Sequence, residues 1–334
     1  MSRPRVLVTG ATGFIAGHCV KELLENGYAV RGTVRDIARA DVGHLMEIAG
    51  GSLELVEASL DDDAGWDAAV AGCTFVWHLA SPVPAGVPRD ENDIIQPAVD
   101  GTLRVLGAAA RGGVTRVLMA SSIDAIVRGH ADNTPTRTEA DWSVVERSAP
   151  YPKSKTLAER AAWDFVATRN LELVAVNPGL VVGPLLHKEQ KTSMEVIRLL
   201  LSRKLPAVPR ISFSIVDVRD VAAALRLATE APGAAGNRYI LGTEPLWMGD
   251  IARILKTTFG PRGYRVPTRR LPYWVMWLNA RVDRVVRLAL DYHAIPLRLE
   301  LNKAQRELGW KPRPAEESIV AAAESLIRHN IVPV

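Results

Sequence analysis

Tyr151 and Lys155, in Tyr-Pro-Lys-Ser-Lys, stand four residues apart. In a helix both side chains fall on one face, one turn apart. A helix is expected here. Pro150 and Pro152 suit a first turn, and Lys155-Thr-Leu-Ala-Glu-Arg-Ala-Ala-Trp163 is a run of mostly good helix formers. A phenol beside an ammonium has a chemical use. The free phenol titrates near about 10, too high for easy proton transfer at neutral pH. A nearby positive charge favours phenolate and lowers that value. The pair can then act as general acid or base toward a carbonyl or an alcohol. Alone, the spacing fits an exposed tyrosine and a solvated lysine just as well. It acquires meaning only with a nucleotide site and a second hydroxyl donor elsewhere in the chain.

The N-terminus offers the nucleotide site. Arg5-Val-Leu-Val-Thr9 reads as a strand, residues 10–17 as a glycine-rich turn, residues 18–26 as a helix stopped at Gly27, and residues 28–34 as a second strand. This is a βαβ unit, right-handed by chain chirality. Gly10 lets the chain turn sharply out of the strand. Gly13 lets backbone approach a pyrophosphate, which the amides of the following helix then face. The pattern is T-G-x-x-G-x-x-A-G, with Ala16 where a third glycine is usual and Gly17 after it. Alanine is small enough for close helix–strand packing. A turn that binds nothing is the alternative. The end of the second strand selects the cofactor. Val34 takes the place of the carboxylate that would bind an NAD ribose, Arg35 follows it, and Arg39 lies a turn later. A guanidinium grips a 2′-phosphate with paired bonds, so NADP(H) is expected, unless Asp36 occupies either arginine.

Composition bounds the rest. The 334 residues, 48% hydrophobic and 23% charged, are those of a soluble globular protein of one large or two modest domains. Net charge is +4, with no basic block and no basic stripe interleaved with aromatics, so no nucleic-acid partner is expected. Cys19 and Cys73 form no CxxC, which argues against a disulfide framework and against zinc, and no metal site is expected. The first strand starts almost at the N-terminus and no apolar run approaches about 18 residues. Neither a signal peptide nor a membrane span is expected, and a reducing cytoplasm is.

Further strands are expected at 53–57, 74–80, 115–120 and 171–176, and helices at 67–72, 95–111 and 151–170, with another opening at Ile215. Residues 132–150 read as a polar loop. His78 alternates into an apolar strand and reads as a core histidine. In an open parallel sheet ligands sit beyond the carboxyl ends of the strands. Gly10, Ala80, Ser81, Ser121 and Ser122 all fall there. From about residue 185 prolines become frequent and strands shorten. The expected fold is therefore α/β: a Rossmann-type doubly wound parallel sheet with a smaller, mainly C-terminal substrate-binding region. Residues 1–184 and about 213–243 form the cofactor domain, and about 185–212 and 244–334 the substrate region.

Together Thr9-Gly-Ala-Thr-Gly-Phe-Ile, Ser122, Tyr151-x-x-x-Lys155, Asn177-Pro-Gly and Val216-Asp-Val-Arg-Asp-Val resemble the extended short-chain dehydrogenases/reductases. Val34-Arg-Asp, Gly72-Cys, His78-Leu-Ala-Ser-Pro and Ser154-Lys-Thr-Leu-Ala-Glu-Arg-Ala-Ala-Trp163 resemble the branch holding dihydroflavonol 4-reductase, cinnamoyl-CoA reductase and microbial carbonyl reductases. The resemblance covers about residues 4–245. It thins after that, apart from Asn302-Lys-Ala-Gln-Arg-Glu-Leu-Gly-Trp310. It implies that Ser122 bonds the substrate oxygen, that Tyr151 delivers the proton, and that Lys155 lowers the tyrosine pKa and holds the nicotinamide ribose. It also implies cofactor contacts from Gly10, Thr12, Gly13, Phe14, Ile15, Arg35, Leu60, Ala80, Ser81, Tyr151, Lys155, Pro178 and Val181. Two positions depart from the branch. Ser59 replaces an adenine-binding aspartate, for which Asp61 or Asp62 can substitute. Val127 replaces the asparagine that orients a polyphenol, which argues against a plant-type flavonoid. Relatives pair through helices of the first domain, so a homodimer is compatible with the resemblance.

The expected enzyme is an NADPH-dependent reductase of aldehydes or ketones. The alternatives are a 3β-hydroxysteroid dehydrogenase, a nucleotide-sugar epimerase or dehydratase, and a non-enzymatic NADP sensor. Leu271-Pro-Tyr-Trp-Val-Met-Trp-Leu-Asn279 concentrates aromatics in a chain where they are 6% of residues. An amphipathic helix over 280–290, with Val282, Val285, Val286 and Ala289 on one face, is expected after it. Ser122, Val127, Leu180, Leu185, Trp274 and Trp277 are the expected substrate pocket, suited to an apolar or aromatic carbonyl compound. Packing of the two tryptophans within the smaller region is the competing reading.

Overall fold

The computed structural model describes residues 4–82, 88, 90–188 and 193–333. The chain runs β1 (Arg5–Val8), α1 (Phe14–Glu25), β2 (Ala29–Val34), α2 (Gly43–Ala49), β3 (Leu53–Glu57), α3 (Trp66–Val70), β4 (Phe75–His78), α4 (Asn92–Arg111), β5 (Arg116–Ala120), α5 (Pro150–Val166) and β6 (Glu172–Pro178). There follow β7 (Leu180–Val182), α6 (Glu195–Leu201), β8 (Ser212–Phe213), β9 (Ile215–Asp217), α7 (Val218–Glu230), β10 (Arg238–Leu241), β11 (Leu246–Trp247) and α8 (Met248–Phe259). The C-terminal helices are α9 (Tyr273–Asn279), α10 (Arg284–Leu290), α11 (Lys303–Leu308) and α12 (Ala315–Arg328).

Seven strands form one sheet in the order β10-β6-β5-β4-β1-β2-β3, every pair parallel. Alternation along the strands sends neighbouring side chains to opposite faces. Val6, Val8, Trp77, Leu118, Val174 and Val176 enter a core with α1, α7, α8 and α12. Leu7, Val76, Val117, Met119 and Leu173 enter a second core with α3, α4 and α5. The strand order reverses between β1 and β4, and this places the ligand crevice at their carboxyl ends. β6 sits next to β5, so α5 is brought alongside the same edge. None of the described helices is long and apolar enough to cross a membrane.

Several elements differ from expectation. α1 begins at Phe14, because Gly13 is the extended N-cap and the helix needs no polar start there. Ile215–Asp217 is not helical; it is a strand paired with β7. β-branched Ile215 and Val216 favour the extended form, and Asp217 then caps α7 by accepting from the Arg219 amide at 2.9 Å. The single helix expected over 280–290 is interrupted. Asp283 Oδ1 accepts from the Val286 amide at 3.2 Å and starts α10 afresh. Val282 lies in the turn between α9 and α10 and is 86% exposed, so it joins no apolar face. The segment 132–150 is mostly loop, with one short 3-10 turn at Val145–Arg147.

Candidate active site

The crevice begins where β1 and β4 end. Thr9 Oγ1 accepts the amides of Leu79 and Ala80 at 3.0 and 2.9 Å, bracing the two strand ends against each other. Gly10 has φ +67°, and a Cβ there would lie 3.1 Å from the Ala80 Cβ. A side chain at 10 would therefore be strained and would crowd the crevice. The Gly10 amide is tied to Thr33 Oγ1 at 2.9 Å and the Ala11 amide to the Thr33 carbonyl at 2.9 Å, which fixes the turn against β2. Past Gly13, α1 starts with no side-chain cap. Its first amides are left to meet an anion. His78 is buried, as expected of a core histidine, between Thr9 Oγ1 at 3.2 Å and Thr102 Oγ1 at 3.3 Å. Burial pushes it down to about 3, so it stays neutral.

At the end of β2, Asp36 is occupied. Its Oδ1 accepts the Ala38 and Arg39 amides, and its Oδ2 is 3.4 Å from the Arg39 guanidinium. Arg35 is exposed, and the carboxylate beside it is committed to its own turn. A bare helix start, a crevice that admits no Cβ and an uncommitted guanidinium fit a dinucleotide bearing a 2′-phosphate. Ser59 turns its carbonyl to Trp66 Nε1 at 2.9 Å, and Asp62 Oδ1 caps the Ala64 amide, so both are engaged locally. Leu60 packs over Gly101 of α4. Pro178 closes β6 beside Leu241, and Val181 is a buried residue of β7.

α5 carries Tyr151 and Lys155. Pro150 is its first residue and Ala149 the extended N-cap, so Tyr151 sits in the first turn and Lys155 in the next. Lys155 Nζ lies 5.9 Å from the centre of the Tyr151 ring and 3.0 Å from Ser81 Oγ. Burial pulls the lysine down to about 8, while Glu159 and Asp124 hold it up. Ser122 follows β5 in extended conformation and accepts from the Asp124 amide at 3.1 Å. The tyrosine departs from the expected chemistry. Burial, and then the charges near Asp124 and Tyr292, push its pKa above the ordinary phenol value, with Ser122 pulling the other way. Burial therefore holds the phenol neutral, while the ammonium donates to Ser81. A neutral phenol is a proton donor, which is the form reduction requires.

The tertiary structure brings further residues to the site: Glu159 and Asn177, which lie in motifs quoted above but were not candidate site residues, and Tyr292, which lies in none. Glu159 is fully buried behind Lys155, where it takes the Arg238 guanidinium at 2.6 Å and the Asn177 amide at 2.9 Å and is also bonded by Ser121. Asn177 also donates to the Ser122 carbonyl at 3.1 Å, which fixes that serine. Tyr292 comes close to Tyr151 from the segment after α10. Arg128 lies 4.2 Å over its ring and is itself paired with Asp124 at 2.5 Å. The expected pocket residues divide. Val127 packs against Ile240, Leu299 and Leu301, and Leu180 is partly buried against the main core. Leu185 is 5% exposed within that core, its amide on Ser325 Oγ at 2.7 Å. Trp274 and Trp277 are 64% and 45% exposed, so they are surface residues and do not pack the smaller region. Arg281 covers Trp277 at 3.9 Å. A short helix with Met276 as its one buried side chain leaves its aromatics outside.

Comparison with known proteins agrees with this arrangement. The chain is 35% identical to a cinnamoyl-CoA reductase of Medicago truncatula over 332 residues, 96% of this chain and 95% of that protein. It is 36% identical to an anthocyanidin reductase of Vitis vinifera, across 78% of this chain and 82% of the other. The crystal structure of a yeast methylglyoxal/isovaleraldehyde reductase complexed with NADPH superposes with a TM-score of 0.82, at 28% identity, covering 98% of this chain and all of that one, 100%. The pattern of the NAD dependent epimerase/dehydratase family matches residues 6–242. With a parallel sheet that reverses at a glycine turn and a Ser/Tyr/Lys set beside it, the chain belongs to the NAD dependent epimerase/dehydratase family.

Proposed function

We propose that this protein is an NADPH-dependent reductase that converts an apolar or aromatic aldehyde or ketone to the alcohol, reversibly, in a reducing cytoplasm. The observation that carries the reading is the convergence of Ser122, a neutral Tyr151 and Lys155 on the crevice marked by Gly10 and Ala80. Free Cys19 and Cys73, both buried, accord with the compartment. Residues 1–184 and 213–243 serve the cofactor, and the remainder serves the substrate. Gly10, Thr12, Gly13, Phe14 and Ile15 line the pyrophosphate end, and Arg35 the 2′-phosphate. When bound, NADPH supplies the hydride. Ser122 Oγ and the Tyr151 hydroxyl bond the carbonyl oxygen and orient it, and Tyr151 gives that oxygen its proton. Lys155, steered by Ser81, reaches the ribose hydroxyls and places a positive charge near the developing alkoxide.

The test is a panel at fixed NADPH of aryl aldehydes and ketones, short polar aldehydes, a 3-ketosteroid and UDP-sugars. The aryl compounds are expected to give the highest kcat/KM. Turnover of UDP-sugars alone, or a preference for the small polar aldehydes, overturns the reading.

Arg35→Ala is expected to weaken NADPH about tenfold or more and to leave NADH nearly unchanged, because one charge-assisted contact contributes roughly 1.5–3 kcal/mol. Binding of both cofactors by fluorescence checks this, and equal use of NADH and NADPH by the native protein would contradict it.

The buried lysine also sets a pH limb. Reduction needs both the Lys155 ammonium and the Tyr151 phenol protonated. The phenol stays protonated above the lysine range, so kcat/KM is expected to hold below about 8 and fall as pH rises through it. Lys155→Arg removes the limb, since a guanidinium keeps its proton. A profile flat through that region in the native protein would refute the assignment.

A further inference from the structure

Away from the proposed catalytic centre, three side chains of metal-binding type meet from two distant stretches of chain. Asp41 lies just before α2, His44 in its first turn, and His187 in the segment that follows β7. His187 Nε2 is 3.1 Å from Asp41 Oδ2. The two imidazole rings lie 4.9 Å apart, centre to centre, with their planes at 20°. One ligand atom from each of the three residues falls within 4.8 Å of the other two.

His44 is the informative member. Both its ring nitrogens are shut off from solvent, and neither has a hydrogen-bond partner among the described residues. An imidazole always carries a donor or a lone pair on each nitrogen, and buried polar atoms of this kind are nearly always satisfied. An ion pair between Asp41 and His187 accounts for two of the three residues and leaves His44 unexplained. A shared cation engages all three residues and gives one of the two His44 nitrogens a partner.

We propose that Asp41, His44 and His187 form a site for a divalent transition-metal ion of the zinc type, with three protein ligands and a fourth position open to water. Two imidazoles and one carboxylate are a borderline donor set, suited to zinc and its neighbours. Calcium and magnesium favour all-oxygen shells and do not fit. Metal–ligand bonds of about 2.0–2.2 Å place tetrahedral ligand atoms roughly 3.3–3.6 Å apart. The Asp41–His187 pair already stands near that spacing, at 3.1 Å, and the His44 ligand atom lies within 4.8 Å of the other two. The ion ties the stretch after Arg35 and Arg39 to the chain after β7, across the outer side of α1. It braces the cofactor's phosphate end and takes no part in proton transfer, so the site stands independently of the proposed reductase activity.

The experiment uses the full-length protein, treated with chelator and titrated with Zn²⁺ against a chromogenic chelator. One equivalent is expected to bind to the native chain. His44→Ala and His187→Ala should each weaken binding at least tenfold, and His329→Ala should leave it unchanged. Zinc should also raise the melting temperature of the native protein and not of the two ligand variants. Equal binding by native protein and both ligand variants overturns the site. Should those variants fail to fold, Co²⁺ added to the native chain decides: visible bands of four- or five-coordinate cobalt support the site. The pale spectrum of six-coordinate aqua cobalt, or a thiolate charge-transfer band, overturns it.

Discussion

Tyr151→Phe is expected to lower kcat for carbonyl reduction by roughly 10²–10⁴-fold, the usual contribution of a positioned general acid, while the dissociation constant for NADPH changes little. The argument rests on the protonation state. Burial, with Asp124 and Tyr292 nearby, holds the phenol neutral, so its hydroxyl is the proton source facing the crevice. Phenylalanine keeps the ring, and with it the packing of the first turn of α5, and removes only the hydroxyl. Ser122→Ala should act on the same step and cost about 10²–10³ in rate, as loss of an oxyanion donor does. Lys155→Ala should damage rate and cofactor binding together, since Lys155 serves both. Stopped-flow turnover alongside NADPH fluorescence titration separates these cases. Tyr292 is the second phenol near the site, and its burial pushes it up to about 12. If Tyr151→Phe kept more than about a tenth of native kcat, Tyr292 or bound water would be the donor instead.

Glu159→Ala is expected to lower unfolding free energy by about 3–5 kcal/mol, the cost of leaving a buried charge without its partner. Glu159 has no exposed surface, and Arg238 is 7% exposed. Arg238 is held in place by more than Glu159. Its Nη1 donates to the carbonyls of Glu139 and Asp141, each at 2.7 Å, and its guanidinium lies 3.8 Å over the Trp142 ring. It therefore stays buried when the carboxylate is removed. Four segments meet at this one carboxylate: Ser121 after β5, Asn177 in β6, Arg238 in β10 and α5 itself. Removing both charges together, as Glu159→Met with Arg238→Met, should restore part of the loss, because no orphan ion remains. Urea unfolding of the two single variants and the double variant measures this. A Glu159→Ala variant within about 1 kcal/mol of native stability would mean that water enters and solvates the arginine. The carboxylate also supports the Lys155 ammonium, so the same variant should move the pH limb of kcat/KM downward.

Apart from α2 (Gly43–Ala49), which was not expected, the order of strands and helices through β6 was legible in the chain because each of those elements has its own local signal. Alternating apolar residues, a glycine turn and proline at a helix start act over a few residues. Tyr151 and Lys155 share one helix, so their spacing alone placed them on one face. Arg35 was legible because the end of a strand next to a glycine turn has a known position relative to it. Short-range signals failed where competing local preferences were close. Ile215–Asp217 carries an Asp that starts a helix and two β-branched residues that prefer a strand, and pairing with β7 decided between them. The helix expected across 280–290 has the right periodicity, but Asp283 recaps it and breaks the face.

The sequence by itself determined the family, the glycine turn after β1, the place of Arg35 at the end of β2 and the shared helix face of Tyr151 and Lys155, because these depend on residues close together in the chain or on single strand ends. Tertiary structure alone decided what surrounds them. Glu159 is an ordinary helix residue in the sequence, and only the adjacency of β5, β6 and β10 turns it into the buried anchor of the site. Tyr292 and the Asp41, His44 and His187 cluster arise from stretches far apart in the chain. The pKa of Tyr151 followed the same rule. The spacing of Tyr151 and Lys155 predicted a charge that lowers it, whereas the depth of burial, with Asp124 and Tyr292 nearby, leaves the phenol protonated. Desolvation is set by everything packed around a group, and a pattern of nearby residues does not encode it.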